Sequence, residues 1–172
     1  MKVAVKDANV FIDLESMGIL DLWTQLGYET LTSSFIVDEL EKGGHRKALA
    51  HVRAGKVKEV IIPGEEMAAL FELFQVVESN GASLEDASVL FIAIREKALL
   101  LTGDKPLRHE AAIRSVEYHG TFWILEQLVE NGVLPPRMAA EKLSMLISLT
   151  GRRKRHLPRK LAESYIERWR SC

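Results

Sequence analysis

Apolar and polar positions along this chain switch repeatedly between a period of two and a period near 3.6, and each switch marks an element. Val3 and Val5 alternate with Ala4 and Lys6, which predicts a first strand over residues 2–6 ending at Asp7. Phe11, Leu14, Ile19, Leu22, Trp23 and Leu26 then recur at helical spacing until Gly27. Glu29–Ser33 reads as a second strand. Ser34 reads as the cap of a helix holding Phe35, Ile36, Glu39 and Leu40, and His45–Ala54 as another short helix. Val57–Ile62 predicts a third strand, closed by Pro63-Gly64. Over Glu65–Ser79 a helix is predicted with Met67, Leu70, Phe71, Phe74 and Val77 as its buried stripe, ended by Asn80-Gly81.

The stretch Ser83–Arg108 organises the rest. Ser83 with Asp86 three residues later opens a helix whose apolar face is Ala87, Leu90, Ile94 and Ala98. Leu99–Thr102 is a short apolar run closed by Gly103-Asp104 and Pro106, so a strand follows at once. A helix of roughly 15 residues climbs about 22 Å, and a strand of about 5–6 residues returns most of that distance. Asp86 and Asp104 are thereby expected at one edge of the sheet. A short helix near Pro106–Ile113, a strand at Val116–His119 and a helix at Thr121–Glu130 come next. Pro135 starts a helix to about Leu149, and Pro158 opens a last one to about Arg170.

Strand alternating with helix predicts an α/β fold: three layers, α/β/α, around a central, mainly parallel sheet of about 4–5 strands, plus C-terminal helices. We divide the chain into a domain over residues 1–134 and a helical extension with a basic tail over 135–172. Ligands of such sheets bind outside the carboxyl ends of the strands. Asp7, Glu39, Asp86 and Asp104 all map to that edge.

Composition adds boundaries. With 47% apolar residues in 172, the chain can bury a real core. Its apolar runs reach about six residues, far short of the roughly 20 that span a bilayer, and MKVAVKDANV has no secretory pattern. No membrane partner is expected. The single cysteine, Cys172, excludes an internal disulfide and suits the cytoplasm. The net charge of −1 conceals an asymmetry: residues 152–172 hold eight Lys/Arg against two Glu, a net of +6, which leaves −7 on residues 1–151. A basic tail on an acidic body suits contact with a polyanion, or equally a solvated loop, Arg152–Arg155, and an amphipathic surface helix. Trp123 and Trp169 are candidate interface anchors, although core packing is the commoner fate of tryptophan.

Each acid has an ordinary explanation. Asp86 completes a capping box with Ser83, Asp104 suits an N-cap, Asp7 suits an Asx-turn, and Glu39 lies among the charged Asp38 and Glu41. Together they are harder to dismiss, because crowded carboxylates raise one another's pKa values and a divalent cation removes that cost. Mg2+ or Mn2+ suits an all-oxygen site better than Zn2+, and the scattered His45, His51, His109, His119 and His156 offer no zinc spacing. Such a site suits phosphoester chemistry through a metal-activated water, with one or two ions. Lys105 and Arg108, just past Asp104, are candidate contacts for a nucleic-acid backbone.

These residues resemble the PIN-domain family of metal-dependent ribonucleases, which includes the toxins of VapBC toxin–antitoxin pairs. The resemblance lies in D-A-N at Asp7–Asn9, D-E-L at Asp38–Leu40, E-D-A at Glu85–Ala87 and T-G-D at Thr102–Asp104, in that order and strand–helix context, over roughly residues 1–130. It implies a central parallel sheet, metal held by Asp7, Asp86 and Asp104 with Glu39 assisting catalysis, and support from Asn9 and Thr102. It also implies cleavage of single-stranded RNA, homodimers and, for toxins, an antitoxin protein. From His119 onward the chain is similar to longer PIN proteins with C-terminal helical additions; the basic tail is not part of the family's motif.

Two other functions remain open at this point. A phosphatase of the haloacid-dehalogenase type fits Asp7 at a strand end, but wants D-x-D, and Asn9 cannot protonate a leaving group. A non-catalytic module binding RNA or a partner through the basic tail fits the charge asymmetry but leaves four acids without a task.

Overall fold

The computed structural model describes residues 2–150 and 157–172; the basic run Arg152–Arg155, and His156, lie outside them. Among the described residues five strands make one parallel sheet: β1 (Lys2–Lys6), β2 (Tyr28–Ser33), β3 (Lys58–Val60), β4 (Leu99–Leu101) and β5 (Tyr118–His119), in the order β3-β2-β1-β4-β5. Among the described residues the helices are α1 (Ala8–Met17), α2 (Leu20–Trp23), α3 (Ser34–Lys42), α4 (Arg46–Arg53), α5 (Met67–Glu78), α6 (Leu84–Glu96), α7 (Lys105–Ile113), α8 (Thr121–Glu130), α9 (Pro136–Thr150) and α10 (Arg159–Arg170). The fold is α/β with helices flanking an all-parallel sheet.

The central strands are buried on both faces, so Ala4, Val5, Leu99, Leu100 and Leu101 form a near-continuous apolar layer. The edge strands β3 and β5 are short, and β3 carries Lys58 and Glu59 outward, which blunts further pairing. Helix α6 packs on β1, β2 and β4 and against α3, α5 and α7; α1 packs with α2, α4, α8 and α9. Helix α10 lies on α9, burying Ala162, Ile166 and Trp169. Trp169 is thus a core residue rather than an interface anchor. Among the described residues no helix is long and apolar enough to cross a membrane.

Several local expectations are corrected. The helical run to Gly27 breaks in two because Gly18 takes a left-handed conformation (φ +67), which ends α1; α2 and a 3-10 turn at Thr24–Leu26 follow. Ser33, not Ser34, caps α3: its extended backbone at the end of β2 lets Oγ accept from the Ile36 amide at 3.2 Å. The third strand contracts to three residues and leaves Ile61 exposed. Helix α5 buries Leu70, Leu73 and Val77, while Phe71 faces solvent. Ile94 is likewise exposed, whereas Val89, Ile92 and Ala93 are buried, because neighbours cover α6 on several sides.

The sheet order reverses between β1 and β4. Chain order runs outward from β1 through β2 to β3, then returns to β4 on the other side. A crevice forms where strands diverge in this way, and Asp7 and Asp104 follow the two strands that border it.

Candidate active site

Asp7 follows β1 with an extended backbone and caps α1. Its Oδ1 accepts from the Ala8 amide at 2.6 Å; its Oδ2 accepts from Asn9 Nδ2 at 2.6 Å and from Thr102 Oγ1 at 2.7 Å. Its own amide donates to Leu101 O at 3.0 Å, which continues the β1–β4 register. The residue is 1% exposed. Burial, and next the charge of Asp86, push the carboxyl from 3.8 to about 7; the Thr102 and Ala8 bonds pull it down, and Glu39 pushes it up.

The loop after β4 is stitched to the loop after β1. Thr102 Oγ1, besides donating to Asp7, accepts from the Asp104 amide at 3.1 Å, and Asn9 Oδ1 accepts from the Gly103 amide at 3.0 Å. Asp104 caps α7, its Oδ1 accepting from the Leu107 amide at 2.9 Å. Asp86 completes the capping box of α6: its Oδ2 accepts from the Ser83 amide at 2.8 Å while Ser83 Oγ accepts from the Asp86 amide at 3.1 Å. The capping roles expected of Asp86 and Asp104 are therefore real. They engage Asp86 Oδ2 and Asp104 Oδ1.

Charge links the four acids. Burial raises Asp86, the Ser83 bonds oppose the rise, and Asp104 adds to it. Glu39, on the outward side of α3, is raised by partial loss of solvent, then by Asp86 and Glu85, with His45 and Lys42 pulling down. Asp7 responds to Asp86 and Glu39, Glu39 to Asp86, and Asp86 to Asp104. Among the described residues, however, no three His, Cys, Asp or Glu side chains stand in an arrangement that could hold an ion. The acids share a neighbourhood rather than a formed coordination sphere. Their chemistry still fits a hard divalent cation: an all-oxygen donor set and a buried carboxyl whose proton affinity is raised by burial and by its neighbours.

Lys105 is exposed on the first turn of α7. Arg108 Nε donates to Thr102 O at 2.9 Å. A Cβ at position 120 would overlap Arg108 Nη2, so Gly120 makes room for the guanidinium; sequence reasoning missed this glycine, which no turn signature marks. The burial of Lys6, a charged residue that closes β1 between Val5 and Asp7, was likewise not foreseen. Asn9, held at both ends by Asp7 and Gly103, serves as a tie between loops where a phosphatase of the D-x-D type needs an acid.

A family model described as DUF3368, PIN domain, matches residues 3–171. Among curated proteins none matches. Among solved structures, PAE2754 from Pyrobaculum aerophilum is similar at 17% identity and a TM-score of 0.50, over 74% of this chain and 98% of that one. VapBC2 from Rickettsia felis, crystallised bound to a DNA fragment from its promoter, is similar at 16% identity and a TM-score of 0.49, over 69% of this chain and 98% of that one. With the family match spanning nearly the whole sequence, the chain belongs to the PIN-domain family.

Proposed function

We propose that this protein is a Mg2+- or Mn2+-dependent endoribonuclease that cuts single-stranded RNA, acting as the toxin of a toxin–antitoxin pair. PIN-family membership supports a nuclease. The observation that carries the reading is Asp7: fully buried, fixed by three donors, and raised to about 7 by burial and by carboxylates from other elements. A bound divalent ion would supply Lewis acidity, a water of lowered pKa, and the positive charge a phosphodiester needs beside so many acids.

In this reading Asp7, Asp86 and Asp104 hold the ion and Glu39 assists from α3. Asn9 and Thr102 keep Asp7 in one rotamer, so little is reorganised when charge changes nearby. Lys105 and Arg108 take the RNA phosphates. The reading also includes an antitoxin protein that blocks the acidic mouth, a homodimer, a cytoplasmic setting, and a division near residue 134 between nuclease domain and helical extension. The test is cleavage of a labelled single-stranded RNA in Mn2+. Cleavage should stop with EDTA and in Asp104→Asn; activity that survives both sinks the proposal.

A further inference from the structure

Beside Asp104 the surface sinks into a cleft of about 850 Å³, within the range of small-ligand sites. Asp104, Lys105, Arg108, His119 and Trp123 line it, together with Leu161 of α10. His119 and Trp123 stack, ring centroids 4.2 Å apart and planes 6° from parallel. Tyr28 braces Trp123 edge-on at 6.3 Å, and Glu117 Oε1 sits 3.1 Å from His119 Nε2. The stack is therefore held in place, yet the His119 side chain keeps 31% of its surface open. Gly120 and Thr102 O together fix the Arg108 guanidinium at the acid end.

This cleft differs in chemistry from the acidic rim it adjoins. Two cations stand where a phosphate would pass from the acids, and a fixed aromatic pair follows. Unpaired bases are recognised by stacking on such rings, whereas a duplex hides its base faces. We propose that the cleft is a nucleotide subsite. A single unpaired RNA base next to the scissile phosphate stacks on the His119–Trp123 pair, and Lys105 and Arg108 hold the phosphate between base and acids. The subsite rests on the nuclease reading for its substrate class, and it gives α10 a task, since Leu161 reaches the cleft from the C-terminal helices.

The test is anisotropy of a labelled oligouridine in EDTA, which reads binding without turnover, alongside cleavage in Mn2+. His119→Ala should weaken binding about 5- to 150-fold, the range of one base–aromatic stack. Leu161 is 49% exposed, so its charged variants should fold; Leu161→Glu should weaken binding and Leu161→Arg tighten it. Duplex RNA and free uridine monophosphate should bind far more weakly than the oligouridine. Equal binding by wild type, His119→Ala and both Leu161 variants, each with a native circular dichroism spectrum, overturns the subsite even if cleavage remains EDTA-sensitive. Absence of cleavage, with binding that still follows His119 and the sign at Leu161, upholds the cleft and removes the nuclease reading instead. Wild-type protein that binds no oligouridine overturns the cleft as a nucleotide site.

Discussion

Lys6 and Asp7 are consecutive and both fully buried, and burial brings both to a pKa of about 7, one from above and one from below. Their surroundings have nothing else in common. Asp7 has three donors and looks onto other carboxylates. Lys6 Nζ has no hydrogen-bond partner among the described residues; it sits 4.7 Å from the Trp23 ring centroid and 4.9 Å from that of Phe11. Strand alternation sends the two side chains to opposite faces of the sheet. Two π faces offset part of the cost of burying an ammonium, but they offer no acceptor. The contrast separates two kinds of buried charge. Asp7 is held by donors and crowded by other carboxylates, while Lys6 is only shielded from water.

The largest effect should come from removing the carboxylate. Asp7→Asn should lower cleavage by about 10³-fold or more, on the order of 4 kcal/mol of transition-state stabilisation. The same variant, in EDTA, should lose the fall in stability between pH 4 and 7, because an amide does not titrate, while its nitrogen, unable to accept, leaves at least one of the three donors around Asp7 unpaired. Mn2+ should stabilise the wild type, as any ligand of the native state does, by about 2.7 kcal/mol at a hundredfold excess over Kd, and so raise its melting temperature. In Asp7→Asn that rise should shrink or vanish. An equal rise in both proteins would show that Asp7 is as idle as Lys6.

The next effect concerns Lys6. Its folded pKa lies below its unfolded value of 10.5, so the unfolded chain binds more protons between pH 7 and 10.5, and stability from this group rises across that window. Asp7 runs the other way: its folded pKa lies above 3.8, so its contribution is present at low pH and lost as pH climbs from about 4 to 7. Both costs are then in force near pH 7 in metal-free protein. Lys6→Met fills the slot with an apolar chain of similar length. It should raise stability at pH 7 by a few kcal/mol and flatten the alkaline limb only. Chemical denaturation across pH in EDTA measures both. A Lys6→Met curve parallel to wild type would mean that water reaches Nζ and that burial does not set its proton affinity.

Much of the acidic edge was legible because capping is local. Asp7, Ser83 with Asp86, and Asp104 each announce a helix start, and helices that alternate with parallel strands start at one edge. For Asp7, Asp86 and Asp104 the capping role and the position at the sheet edge are thus the same fact seen at two scales, while Glu39 lies within α3 and caps nothing. Phase was less legible than period. In α5 the expected stripe of Met67, Leu70, Phe71, Phe74 and Val77 holds at Leu70 and Val77, but packing on α6 buries Leu73 as well and leaves Phe71 exposed. The cleft was not legible at all. His119 and Trp123 meet across a strand–helix junction, and Leu161 arrives from α10. Lys6 was visible as a charge in a strand, but its burial depends on Trp23 and Phe11 folding over it.

The smallest effect sharpens the comparison most directly, because it moves Asp7 towards the condition of Lys6. Thr102 Oγ1 donates to Asp7 Oδ2 and accepts from the Asp104 amide, so it joins two of the acids through one hydroxyl. Thr102→Val keeps the shape and deletes both bonds. Asp7 loses a donor that lowers its pKa, so its carboxyl should titrate higher still in metal-free protein. The decline in stability from acidic pH to neutrality should then extend to higher pH, and stability at pH 8 should fall by about 1–2 kcal/mol. Cleavage should drop by about tenfold, with kcat affected more than KM, since the proposed reading gives the RNA phosphates to Lys105 and Arg108 rather than to this hydroxyl. If Thr102→Val leaves the pH curve where it was, the donors around Asp7 are incidental, and the two buried charges differ less than their hydrogen bonds suggest.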